Sequence, residues 1–321
     1  NNKNYLHISI IVYNFSMITK KGEAMKKDEY INKVANDLIK AMKTAGTDFM
    51  LPWIKTGMPK NLGRIKSKDP YYYGINNLVL WMEQDRQKYS SNIWGTLKQI
   101  TDAGGRVNKE EMRKGTQVVL WKPTTYEDKY KVNHGGNKIG DKRIVNSVMM
   151  RFFWVYNLDQ TNLKNQEEKL EGAKEKTDVE TYVKNTDVSI QYGGDRCFYV
   201  PSKDYIQMVE KGKFKKTADS NATQNYYSTL LHELTHWTGH ESRLKRDMTS
   251  SFGTDGYAFE ELVAEMGAAM QCCILGITSK PKKESAQYLN SWIKNIEKDP
   301  KAIFKAVGKA GSAVKYIESL Q

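Results

Sequence analysis

Residues 221–239 read NATQNYYSTLLHELTHWTG. Tyr226, Tyr227, Leu230, Leu231, Leu234 and Trp237 recur at the spacing of one buried helix face. Asn221 or Thr223 can cap the start, and Gly239 suits the position just past the end. Within this helix His232 and His236 are four residues apart, so both imidazoles leave the same face and can share one metal ion. Glu233, beside the first histidine, is placed to handle the proton of a water molecule at such an ion.

This is the HExxH arrangement, in which zinc polarises a scissile carbonyl and acidifies water while the glutamate acts as general base. A third ligand must come from elsewhere. The metzincin position, six residues after the second histidine, is Ser242, which cannot serve. His240 lies two turns from His232 and could hardly meet the same ion. Residues 257–274, YAFEELVAEMGAAMQCCI, form a second helical pattern that carries Glu261 and Glu265 four apart in an otherwise apolar segment. Buried carboxylates need partners, and a metal together with its ligand histidine would supply both. That is the two-helix form of gluzincin sites: Glu261 as third zinc ligand and Glu265 orienting a histidine, with Glu260 the alternative ligand. Upstream, residues 193–201 (GGDRCFYVP) predict a turn into a short strand, either an edge that accepts an extended peptide or a purely structural element. Tyr257, His240 and Tyr199 are candidates for stabilising an oxyanion.

A chain of 321 residues suits two domains, and 39% hydrophobic content gives each a core. Three cysteines, two of them adjacent at Cys272 and Cys273, make neither a disulfide framework nor a CxxC pair, which points to a reducing cytoplasm. Charge is unevenly placed. Residues 1–150 hold 26 Lys and Arg against 14 Asp and Glu, whereas residues 151–321 hold 24 against 23. A basic first half fits a polyanionic partner, although a lysine-rich solvated surface gives the same composition. The apolar run at residues 5–18 is too short and too interrupted to span a membrane. Lys20-Lys21-Gly22-Glu23 followed by Met25 has the form of a translated ribosome-binding site, so residues 1–24 are expected to be leader and Met25 the start.

In the first half an amphipathic helix is expected over residues 28–44, a turn leading into a short helix over 71–81, and strands over 116–121 and 148–157. Aromatic residues alternate with cations: Trp53, Tyr72, Tyr73 and Trp94 lie among Lys55, Arg64, Lys98, Arg106 and Lys114. Such mixtures hold single strands, rings stacking on bases while cations follow the backbone; the competing reading places the rings in a core. Residues 161–188 are highly charged and read as a linker between a domain at 25–160 and one at 189–321.

Together these motifs resemble the ArdC-type antirestriction proteins of plasmids and other mobile elements. The resemblance runs through Tyr73-Gly74-Ile75-Asn76, Trp94 to Gln99, Gly104-Gly105, Lys114-Gly115 and Val155 to Gln160. It continues through Gly193-Gly194-Asp195, Leu231 to Gly239, Tyr257 to Glu265 and the tail from Ser291. It implies an α+β protein with a small single-stranded-DNA-binding domain, to which Asn76 is added as a contact, followed by a mostly helical, gluzincin-type zincin-like metallopeptidase domain. The implied setting is a mobile element entering a new host as single strands. Two functions follow: a zinc peptidase tethered to DNA and acting on protein bound there, or a non-catalytic DNA-binding shield whose zinc site is structural or vestigial.

Overall fold

The computed structural model describes residues 27–45, 57–128, 131–132, 138–139, 143–164, 166, 169, 178–217, 220–250, 254–277 and 283–321. Residues 1–24, Trp53 and Lys55 lie outside these.

Helix α1 (Lys27–Ala45) buries Tyr30, Ile31, Val34, Leu38, Ile39 and Met42, the periodic set expected from sequence. Gly74 turns the chain into α2 (Ile75–Gln87) with φ 61° and ψ −147°, a conformation open essentially to glycine alone. A mixed sheet follows the order β1 (Lys60–Asn61), β2 (Ile93–Gly95), β6 (Arg143–Asn157), β3 (Thr116–Asp128), with the short helix α3 (Leu97–Asp102) after β2. The β3–β6 ladder runs from Thr116 opposite Val155 to Asp128 opposite Arg143, well beyond the expected strand ends. Pro123 signals a break in sequence, yet β3 is an edge strand, where a missing N–H can be tolerated. Strands β4 (Lys131–Val132) and β5 (Lys138–Ile139) pair separately.

In the second half, α4 (Val179–Lys184) leads to a three-stranded sheet of order β7 (Ser189–Tyr192), β9 (Tyr205–Met208), β8 (Phe198–Val200). Helices α5 (Ala222–Trp237), α6 (Asp255–Leu275), α7 (Lys283–Lys298) and α8 (Lys301–Glu318) complete this zincin-like α+β unit. Among the described residues no helix is long and apolar enough to cross a membrane.

The halves do not close on themselves. One hydrophobic cluster joins Tyr30, Leu38, Ile75 and Leu78 to Leu262, Met266, Trp292 and Val307. The charged stretch between the halves is structured at both ends. Leu163 is buried with Leu62 and Ile100, whereas Tyr182 and Val183 are buried with Leu230 and Leu234.

Candidate metal centre

Helix α5 starts at a capping box, Asn221 Oδ1 accepting from Gln224 N at 2.8 Å and Gln224 Oε1 from Asn221 N at 2.9 Å. Its C-cap is Thr238, so Gly239 follows the end as expected. Helix α6 starts at Thr254, whose hydroxyl accepts from Tyr257 N, and ends on Gly276 in the left-handed conformation. The two helices cross with their backbones close together at Gly267, where any side chain would strike Thr235.

This crossing brings the predicted residues together. His232, Glu233 and His236 are buried and offer ligand atoms within 4.8 Å of one another. The two histidine Nε2 atoms lie 3.2 Å apart. Glu261 faces both, Oε2 at 3.5 Å from His232 Nε2 and Oε1 at 3.5 Å from His236 Nε2. Ligands about 2.0–2.2 Å from a tetrahedral ion stand about 3.3–3.6 Å from one another, and each histidine nitrogen has a Glu261 oxygen of its own at that range, so the carboxylate faces the space between the two imidazoles. Two imidazoles and a carboxylate suit zinc, and also harder divalent ions.

Behind each histidine lies a carboxylate. His232 Nδ1 is 3.5 Å from Glu265 Oε1, too long for a well-formed hydrogen bond. His236 Nδ1 is 3.2 Å from Glu260 Oε1. Glu260, weighed in the sequence only as an alternative ligand, therefore points at the far nitrogen of His236. Arg246 fixes it there: Nε lies 3.0 Å from Glu260 Oε2 and Nη2 2.8 Å from Oε1, while the same guanidinium donates to Thr238 Oγ1 and Thr235 O. Nothing in the sequence singled out Arg246. The adjacent glutamates of an apolar helix did carry a signal, since 100° of rotation separates their directions and each needs its own partner.

The electrostatics follow from this packing. Burial pulls the His236 pKa down, but Glu260 and Glu261 outweigh it and push the value up to about 10. Burial raises the Glu261 pKa, and the two histidines overcome that to hold it far below the usual carboxylate range. Glu260 is likewise lowered, with His236 and Arg246 overcoming burial.

A cleft of about 920 Å³ opens over these groups. Strand β8 is an edge of its sheet and lines the cleft through Phe198 and Tyr199. Tyr257 lines it as well. Tyr199 donates its hydroxyl to Asp204 Oδ1 at 2.8 Å, and Asp204 is gripped by Arg243. His240 is outside the cleft lining, with Nδ1 2.8 Å from Ser242 Oγ.

The residues expected to meet DNA are dispersed. Trp94 is 0% exposed and Tyr72 is buried, both packed with Leu80, Val118 and Val155, so neither offers a face for stacking. Trp94 and Tyr72 help to close a small core, as the competing reading had it. Asn76 clasps β3 to α2, its Nδ2 donating to Val119 O and its Oδ1 accepting from Val119 N. Tyr73 is partly buried, with Lys315 Nζ 4.4 Å from its ring centre. Arg64 donates to the carbonyls of Asp69 and Tyr71. Lys98 pairs with Asp102 and Lys114 with Glu111, and these cations and Arg106 are exposed. Among the described residues, the large exposed rings of this half are Trp121 and Phe153, at 42% and 39%, on opposite faces of the β3–β6 ribbon.

Residues 28–184 match the family described as the N-terminal domain of anti-restriction factor ArdC. Residues 177–309 match the zincin-like metallopeptidase family. The metal-free crystal structure of the antirestriction ArdC protein from plasmid R388 superposes with a TM-score of 0.70 at 29% identity, covering 90% of this chain and 97% of that one. The chain belongs to the ArdC antirestriction family. The Mn(II)-bound structure of the R388 ArdC protein is also similar, with a TM-score of 0.65 at 27% identity, 90% of this chain and 97% of that one. Among curated relatives, the uncharacterized protein y4eC of Sinorhizobium fredii is 30% identical over 311 residues, 95% of this chain and 96% of its own length. A DNA primase TraC of Escherichia coli is 34% identical over 318 residues, which are 94% of this chain but only 21% of the primase. As an ArdC-type protein the chain thus pairs an antirestriction N-terminal domain with a zincin-like domain that carries a metal-binding cluster.

Proposed function

We propose that this chain is a cytoplasmic, zinc-dependent peptidase that its N-terminal half holds on single-stranded DNA, where it acts on protein bound to an incoming mobile element. The single observation that carries the peptidase reading is the matched set of 3.2, 3.5 and 3.5 Å separations among His232, His236 and Glu261, with Glu233 beside them. His232, His236 and Glu261 would hold the ion, and Glu265 and Glu260 would orient the two imidazoles. A bound zinc ion supplies Lewis acidity, polarising a carbonyl and acidifying water. Glu233 accepts the proton of the attacking water and returns it to the leaving amine. A purely structural site has no use for a base at this position. Tyr257 lines the cleft and would steady the developing oxyanion, whereas the Tyr199 hydroxyl is given to Asp204.

The DNA half of the reading rests on the basic first half and on the membership shown by its N-terminal domain. With Trp94 and Tyr72 in the core, the exposed β3–β6 ribbon takes over as stacking surface: Phe153 shares a face with Arg151, its neighbour two residues along β6, and with Leu120 and Lys122 of β3. Arg106 and the other exposed cations of that half would follow the backbone.

The test is Glu233→Gln in the zinc-loaded chain. Zinc retention with loss of both peptide cleavage and protection of incoming DNA is expected. A variant that keeps zinc and protects fully would make the chain a DNA-binding shield.

A further inference from the structure

The cleft carries a charge pattern that the chemistry above does not use. Arg196 precedes β8, and Lys213 and Lys215 flank Phe214 on the segment running from β9 to α5. All three line the cleft, all three are exposed, and none has an ion-pair partner among the described residues. Lys211, two residues earlier, shows the contrast: it pairs with Glu180 and reaches the Tyr227 hydroxyl. Three of the acids of the same cleft face a guanidinium or an imidazole. Glu260 faces Arg246, Glu261 and Glu265 face the histidines, and the carboxylate of Asp247 accepts from the Thr249 hydroxyl at 2.7 Å and its N–H at 3.1 Å. The Thr249 bonds leave the charge of Asp247 in place, and Asp195 is a further acid of the cleft lining.

We propose that the cleft selects acidic peptides: a segment extended along edge strand β8 places Asp or Glu side chains near the scissile bond against Arg196, Lys213 and Lys215. The inference rests on the peptidase reading above and adds its substrate class. An extended peptide projects side chains alternately, so it can aim a carboxylate at the rim cations while presenting only neutral backbone to Glu233 and Glu261. A nucleic-acid strand would bring a phosphate at every step, including beside those buried carboxylates and Asp195. Single exposed pairs contribute little, but three cations lining one cleft add to a usable preference. The exposed Phe198 ring of β8 offers apolar contact to the same segment.

The zinc-loaded full chain can be tested with three peptide hydroxamates that differ only in carrying Asp, Ala or Lys next to the zinc-binding group, each displacing a fluorescent hydroxamate. The Asp compound is expected to bind about tenfold more tightly than the Ala compound, and the Lys compound more weakly than either. The Asp-to-Ala ratio should fall to about twofold or less in Arg196→Ala/Lys213→Ala/Lys215→Ala, and should shrink in high salt. Lys213→Glu/Lys215→Glu should reverse the order in favour of Lys. Equal binding of the three compounds to the unmodified chain overturns the acidic preference and leaves the peptidase reading standing. Binding of none of them overturns the peptidase reading itself and the preference with it. A single-stranded oligonucleotide that displaces the probe from the unmodified chain but not from the triple variant reassigns the cations to nucleic acid, and so overturns it too.

Discussion

Gly267 of α6 lies against Thr235 of α5 so closely that a methyl group at 267 would stand 2.5 Å from Thr235 Cγ2. The contact sets how near the two metal-site helices come. Gly267→Ala must therefore push the helices apart, at about 1–3 kcal/mol of overpacking, and draw Glu261 away from the histidines. Lower thermal stability and weaker zinc binding in chelator competition are expected together. Thr235→Ser removes the nearest clashing atom and keeps the hydroxyl, which donates to Leu231 O, accepts from Gln271 and would itself stand 2.8 Å from the new methyl, so Thr235→Ser/Gly267→Ala should recover only part of both. Native zinc affinity in Gly267→Ala would show that the helix spacing is not what builds the site.

Arg246 is the counter-charge of a buried carboxylate. Arg246→Met strands Glu260 beside His236, and breaking such a pair from one side costs about 3–5 kcal/mol. Urea unfolding of the metal-free chain measures it. Arg246→Met/Glu260→Gln should recover most of the loss, because the amide oxygen can still accept from His236 while no unpaired carboxylate remains buried at 260. A double variant as unstable as the single one would assign the cost to the lost bonds to Thr235 and Thr238 instead.

Metal binding should release a proton. In the metal-free chain the His236 pKa stands at about 10 against an ordinary 6.5. A folded-state value raised in this way stabilises the protein fully below the unfolded value and ceases to do so as pH rises through the folded one. Stability of the metal-free chain from this group should thus decline between 6.5 and about 10. Zinc affinity should climb over the same window, by about tenfold per pH unit while one proton is displaced. Calorimetry in buffers of different ionisation enthalpy counts that proton directly, and a buffer-independent heat would contradict the prediction.

The two sets of aromatic residues should separate in one experiment. Phe153→Ala is expected to weaken single-strand binding by about 1–3 kcal/mol with little change in unfolding. Trp94→Ala should cost about 3–5 kcal/mol of stability because its ring is fully enclosed. Salt titrations of both would report whether the phosphate contacts persist. Loss of binding in a fully folded Trp94→Ala variant would return that residue to the interface.

The meeting of the candidate metal ligands was legible because their spacing is local. Spacing of four on α5 and again on α6 puts His232 and His236, and then Glu261 and Glu265, on shared faces, and burial supplies the demand for partners. Arg246 was not legible, since it follows α5 in a loop and its role depends on where that loop folds back. Trp94 and Tyr72 failed as stacking residues for a different reason. Exposure of an aromatic ring is a tertiary property, and a half that is small in volume must spend rings such as Trp94 and Tyr72 on its own core. Strand β3 outran its expected end because the tolerance of Pro123 depends on edge position, which pairing decides and sequence does not state.

The hydrophobic cluster that joins α1 and α2 to α6, α7 and α8 makes the chain indivisible. Cutting near residue 170 would leave Leu38, Ile75 and Leu78 without cover on one fragment, and Leu262, Met266 and Val307 on the other. Neither fragment inherits a finished interior, so melting should follow one transition and recombination should move the pair as a cassette. The match to the TraC primase has that form: 94% of this chain is matched within 21% of the larger protein.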